Sequence, residues 1–140
     1  MIAPLQNYSI RGVLWYQGES NVSRRNEYVA LLSAMIADWR HTFNQPGLPF
    51  HIVELADFLS KDNIEGRKAW AEMRQEQAKA AAFNSNTYLI RNSDLGEWND
   101  IHPLDEKNLR QTCSRKCIEQ HKTMIHHFFD NDPTNKNLIE

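Results

Sequence analysis

Arg11-Gly12-Val13-Leu14-Trp15-Tyr16-Gln17-Gly18-Glu19-Ser20-Asn21 joins a short apolar run to an abrupt polar turn. Val13, Leu14, Trp15 and Tyr16 are β-branched, aliphatic and aromatic residues of the kind that fill buried strands. The expected strand is about residues 10–16, with a polar turn over 17–24. From Gln17 onward the turn presents an amide, a carboxylate and a hydroxyl in succession, and Gly18 lets backbone or ligand approach closely. Ligands in open α/β sheets bind at the carboxyl ends of strands. The fold therefore turns on whether helices and further strands follow in alternation.

They do. Tyr28, Leu31, Leu32, Met35, Ile36, Trp39 and Phe43 recur at helical spacing and predict a helix over 25–43. Their broad apolar stripe is expected to face the core, leaving Arg25, Glu27, Asp38 and Arg40 to solvent. Asn44, Pro46 and Gly47 end the helix. Residues 48–56 read as a second strand, in which His51 and Glu54 fall on opposite faces and His51 reads as a structural histidine. A loop over 57–66 would lie on the ligand side. A helix over 67–83 carries Trp70, Met73, Gln77 and several alanines. Asn84, Ser85 and Asn86 stop it, and Thr87-Tyr88-Leu89-Ile90 forms a third strand. A long polar loop over 91–105 holds Asp94, Glu97, Asn99, Asp100 and His102, and a last helix is expected at about 105–121. Residues 1–9 read as loop, and 122–140 as a disordered or atypical tail. Strands alternating with helices specify βαβ units and a parallel sheet. Three strands make that sheet small, because parallel sheets need both faces covered.

Composition narrows the class. The chain has 140 residues, 41% of them apolar, with four Trp, enough for one globular core. A net charge of −2 and no Lys/Arg-rich run argue against a nucleic-acid partner. No apolar run reaches the ~18 residues of a membrane span, and no signal peptide is read at Met1. Cys113, Cys117 and His121 would share a helix face. They read as two small apolar core residues and a solvated histidine, so neither a metal nor any other cofactor is expected.

Two polar turns carry the chemistry. The amide of Gln17 can donate from the end of the first strand. Glu19 can bind a ligand's hydroxyl group or hold the turn through backbone N–H groups. His102, followed by Pro103, sits in a loop after a strand, and an imidazole with a pKa near ~6.5 accepts a hydroxyl proton at neutral pH. Ser20 suggests a nucleophile at a strand–helix turn, but such an elbow places glycine two residues later, where Val22 stands.

These turns also carry a resemblance. Met-Ile-Ala-Pro-Leu at 1–5, the string Gly12-Val13-Leu14-Trp15-Tyr16-Gln17-Gly18-Glu19-Ser20-Asn21, and Asp100-Ile101-His102-Pro103 with Lys107 resemble the sialate O-acetylesterases. These are carbohydrate esterases of the SGNH/GDSL hydrolase superfamily. Trp70, Met73, Arg74 and Gln77 resemble the corresponding family helix. The resemblance covers about residues 1–110.

The resemblance implies a three-layer α/β/α sandwich of flavodoxin-like type, incomplete here with about three parallel strands, in a partial domain over residues 1–121. It implies serine-type removal of O-acetyl groups from sugars such as sialic acid. Gln17 stands where the family uses an oxyanion-hole amide and His102 where it uses the base, with Gly18, Glu19 and Asn21 as substrate-binding positions. The family's Asp stands three residues before its His, where this chain has Asn99. Asp100, Asp94 or a backbone carbonyl is then left to orient His102. The family's serine lies in an early glycine-rich block without a counterpart here, so this chain reads as a later portion, inactive alone. Full-length relatives are expected to be exported.

Two further readings remain. One is a non-catalytic carbohydrate-binding or interaction domain, with Trp15, Tyr16 and Trp98 stacking on sugars and Glu19 and Asp100 binding hydroxyls. The other is a self-contained hydrolase using Ser20. The expected partners are an O-acetylated carbohydrate and, through an open edge on the first strand, a companion fragment or a second copy of the chain. No nucleic acid and no membrane is expected.

Overall fold

A computed structural model describes residues 2–91 together with helical positions at Gln111, Cys113, Ser114, Arg115, Ile118 and Glu119. The expectations for Asp94, Glu97, Trp98, Asn99, Asp100, His102, Pro103, Cys117, His121 and the tail lie outside the described residues. The chain divides into two compact units, Met1–Glu106 and Lys107–Glu140. In the second, the described positions are helical, and Cys113 is buried.

In the first unit a 3-10 turn, Ala3–Leu5, precedes strand β1 at Val13–Trp15. A 3-10 segment, Glu19–Glu27, leads into helix α1 at Tyr28–Thr42. Strand β2 is Phe50–Val53, helix α2 is Ile64–Phe83 and strand β3 is Thr87–Ile90. The strands form one parallel sheet in the order β1-β2-β3. Val13 pairs with Phe50 and Trp15 with Ile52, while Phe50 pairs with Thr87 and Val53 with Ile90.

The two-residue strand period sorts the sheet into two faces. Val13, Trp15, Phe50, Ile52 and Leu89 join one apolar core with Tyr28, Leu32 and Ile36 of α1 and Trp70, Met73, Ala80 and Ala81 of α2. Both helices therefore cover the same face. Successive crossovers of one hand, stepping in one direction across a sheet, produce that result. Trp15 meets Trp39 edge-on at 5.9 Å, and Trp39 leans on Phe50 at 6.1 Å. On the other face His51 stacks on Tyr88, with ring centroids 5.3 Å apart, and Val53 and Ile90 are fully buried. Leu14, on that same face of β1, is 53% exposed.

Several boundaries differ from the sequence expectation for physical reasons. The strand expected over 10–16 pairs only at 13–15, and the helix expected from 25 begins at Tyr28. The turn before it is wound as 3-10 helix, broken at Arg24 with φ −126°. In α1 the apolar stripe is narrower than expected. Tyr28, Leu32 and Ile36 are buried and Met35, Trp39 and Phe43 pack beside them, but Leu31 is 52% exposed. The second helix starts three residues before its expected first residue, because Asn63 caps it, its Oδ1 accepting from Gly66 N at 2.9 Å.

Arg40 fastens the rim opposite the polar turn. Its Nε donates to Leu48 O at 3.1 Å, its Nη2 donates to Ser85 O at 2.6 Å, and its guanidinium covers the Phe50 ring. Removal from water lowers its pKa from the ordinary arginine value.

Candidate active site

The polar turn leaves β1 where its pairing with β2 stops. Beyond Trp15 and Ile52 the two strands separate, and their backbone groups lose ladder partners. The chain supplies substitutes. Tyr28, the first residue of α1, donates its hydroxyl to Gln17 O at 2.9 Å. From α2, Gln77 Nε2 donates to Gln17 O and to Val53 O, each at 3.2 Å, and its Oε1 accepts from Leu55 N at 2.9 Å. Burial raises the Tyr28 pKa above its ordinary 10.0, against the opposing pull of hydrogen bonding with Trp15 and Gln77.

Gly18 is buried in this corner. A Cβ there would stand 2.9 Å from Met73 Cε and 3.4 Å from Leu55 Cδ1 and Gln77 Nε2, at a φ of +159° that side chains rarely adopt. Met73 Cε is the tip of a flexible side chain and can give way, so it is the backbone conformation that calls for glycine here. Gly18 N donates to Glu19 Oε2 at 2.9 Å, so a carboxylate oxygen already occupies this N–H. Of the two roles open to Glu19, the structure displays the second, holding the turn. Gln17 Nε2 donates to Asn21 Oδ1 at 2.8 Å. The other N–H of that amide has no acceptor among the described residues.

The sequence-stated residues thus divide. Gln17, Gly18, Glu19 and Asn21 come together in one hydrogen-bonded turn at the carboxyl rim of the sheet. Asp100 and His102 lie outside the described residues. Ser20 is exposed on the 3-10 segment, not poised on a strand–helix elbow. Trp15 and Tyr16 are partly buried and pack against the core, Trp15 edge-on to Trp39.

Charged residues brace the rim. Arg25 binds Glu72 through Nε at 2.7 Å and Val22 O through Nη1 at 3.1 Å, tying the 3-10 segment to α2. Asp57, in the loop after β2, is shared by Arg67 at 3.5 Å and Arg74 at 3.6 Å. The Trp70 indole donates to Ala56 O at 2.9 Å. Glu54 is buried and faces Arg91 at 3.8 Å. Among the described residues no group of three or more His, Cys, Asp or Glu could hold a metal ion, and no helix is long and apolar enough to cross a membrane.

Sequence reasoning read Gln77 as helix packing. Its signal was present, since Gln77 interrupts the otherwise apolar face of Trp70, Met73, Ala80 and Ala81. The Tyr28 hydroxyl gave no separate signal, because its ring satisfies the apolar stripe.

A family model of carbohydrate esterases, sialic acid-specific acetylesterases, matches residues 2–117. This chain belongs to that family. It is 33% identical over 128 residues to a sialate O-acetylesterase of Rattus norvegicus, with 78% of this chain and 23% of that protein covered. It is 31% identical over 126 residues to the sialate O-acetylesterase of Homo sapiens, with 78% and 24% covered. The crystal structure of a carbohydrate acetylesterase from Xanthomonas citri superposes with a TM-score of 0.66 at 35% identity, over 76% of this chain and 25% of that one. The chain thus spans about a quarter of the length of these relatives. Family membership accords with an SGNH-type α/β fold, of which the described residues show three parallel strands.

Proposed function

We propose that this chain forms part of an esterase that removes O-acetyl groups from sugars such as sialic acid, contributing an oxyanion-hole amide at Gln17 and a general base at His102. The observation that supports it most is the Gln17 turn. An amide with one N–H tethered to Asn21 and the other open stands at the carboxyl rim of a parallel sheet, in a family of carbohydrate acetylesterases.

In this reading a serine hydroxyl attacks the acetyl carbonyl carbon. His102 takes the hydroxyl proton, and the carbonyl oxygen, now an oxyanion, receives the open N–H of Gln17. The intermediate collapses, the sugar oxygen leaves with the proton from His102, and an acetyl-serine remains. Water, deprotonated by the same imidazole, releases acetate and restores the serine. Asp100, Asp94 or a carbonyl orients His102. Gly18 lets the turn pack closely on Met73 and Leu55, and Glu19 and Asn21 hold the turn that meets the sugar.

Among the described residues no serine has the setting the attack requires, and the family resemblance puts the serine in an earlier glycine-rich block, so the serine is assigned to residues outside this sequence. The side of β1 that is unpaired among the described residues is assigned to a partner strand, from a companion chain or a second copy. Incubating the chain with an O-acetylated sialic acid, with acetate release followed by NMR, tests the assignment of the serine. The expected result is binding without turnover, because members of a triad act as a unit. Turnover that disappears in Ser20→Ala would contradict it.

A further inference from the structure

We infer that Gln77 is a positioning residue for the Gln17–Gly18 peptide, the base from which the Gln17 amide donor extends. The inference rests on the oxyanion-hole reading of that turn and adds to it a residue from a distant element.

The Gln77 side chain is 0% exposed. Packing alone would be satisfied there by leucine or methionine, since the rest of that helix face is Trp70, Met73, Ala80 and Ala81. A buried amide is costly unless its polar atoms are bonded, and this one bonds on both ends. Nε2 donates to Gln17 O and Val53 O, and Oε1 accepts from Leu55 N. Gln77 therefore bridges the outgoing ends of β1 and β2 at the point where the parallel ladder has ended.

The bond to Gln17 O sets more than a carbonyl. The peptide unit is planar, so fixing its C=O fixes the direction of its N–H, and the N–H of this unit belongs to Gly18. Tyr28 donates to the same oxygen from α1, so two helices hold one carbonyl. The same constraint anchors the Cα from which the Gln17 amide extends. A positioning error of about 1 Å at a reacting centre is enough to cost orders of magnitude in rate. The geometry thus gives Gln77 a task at the site without contact to the substrate.

The test uses the 15N-labelled chain as wild type and as Gln77→Met, Gln77→Glu and Gln17→Ala. Gln77→Glu keeps the acceptor for Leu55 N and, neutral when buried against two carbonyls, keeps at most one of the two donor bonds, so it weakens the positioning while sparing the β2 exit. In both Gln77 variants the Gly18 amide and the Gln17 side-chain amide signals should move, and Gly18 hydrogen exchange should speed up by about tenfold or more. Preference for an O-acetylated over an unacetylated sialic acid, measured by titration, should fall by about tenfold. A residue with only a structural role would lower the melting temperature and leave that preference intact. If Gly18 and Gln17 signals stay in place in both variants, the inference is overturned. If Gln17→Ala removes the preference and both Gln77 variants keep it, the inference fails while the donor reading stands. If Gln17→Ala keeps the preference, the donor reading itself fails. Should Gln77→Met not fold, Gln77→Glu and a through-hydrogen-bond coupling from Gln77 Nε2 to the Gln17 carbonyl in the wild type decide it, and absence of that coupling overturns the inference.

Discussion

Gly18 shows how much a single residue decides at the exit of β1. A methyl group there meets Met73 Cε at 2.9 Å, and φ is +159°. Gly18→Ala should cost about 1–3 kcal/mol, as a strained backbone conformation does, and lower the melting temperature by several degrees in a calorimetric scan. Tyr28 gives a prediction in pH. Its pKa lies above the ordinary 10.0 because burial disfavours the phenolate. Folding thus favours the neutral phenol, so the stabilisation is complete below about pH 10 and is lost as pH rises through the raised value. Thermal scans between about pH 8 and 11 should show a smaller alkaline loss in Tyr28→Phe than in the wild type, from a neutral-pH baseline lowered by about 1 kcal/mol for the missing bond to Gln17 O. At this scale the sequence was readable where residue type is tied to chemistry, as in Gln17, Gly18 and Glu19. It was unreadable where the information is a partner. Nothing in the linear order states that Gln77 lies against Gln17 O, 60 residues away.

Among the elements, existence was legible and ends were not. The spacing from Tyr28 to Phe43 identifies α1, and the short apolar runs identify the strands. Yet β1 ends at Trp15 because Ile52 is the last residue of β2 that it can pair with, a tertiary fact. The Leu31 error has a similar origin. A 3.6-residue period identifies a face, but the width of that face depends on how the neighbouring layer sits, and Leu31 falls beyond it. The start of α2 could have been found, since Asn63 three residues before Gly66 is a capping signal. Asn63→Ala should destabilise the chain by about 1 kcal/mol, seen as a lower urea midpoint at unchanged slope. A changed slope would show that the substitution alters more than the cap.

At the scale of the molecule, the alternation of strands and helices was sufficient for a parallel sheet, and the structure gives the order β1-β2-β3 with both helices on one face. Among the described residues β1 pairs on one side only. Its Leu14 is 53% exposed, and an apolar edge of this kind invites another strand. If the edge recruits a partner, Leu14→Lys should raise the monomer fraction in sedimentation at micromolar concentration, and an unchanged distribution would place any association elsewhere. Of the site, the Gln17 turn was legible as a polar run following a strand, while the second polar turn at 99–103 lies outside the described residues. The distance between them belongs to residues beyond those described, and the account depends on it. Its central claim is that Gln17 and His102 face one acetyl group. The most direct measurement is an NMR titration of the 15N-labelled chain with an O-acetylated sialic acid, following the Gln17 side-chain amide and the His102 imidazole together. The account predicts that both shift along a single saturation curve and that the unacetylated sugar moves neither to the same extent. A response at one of the two without the other would contradict it.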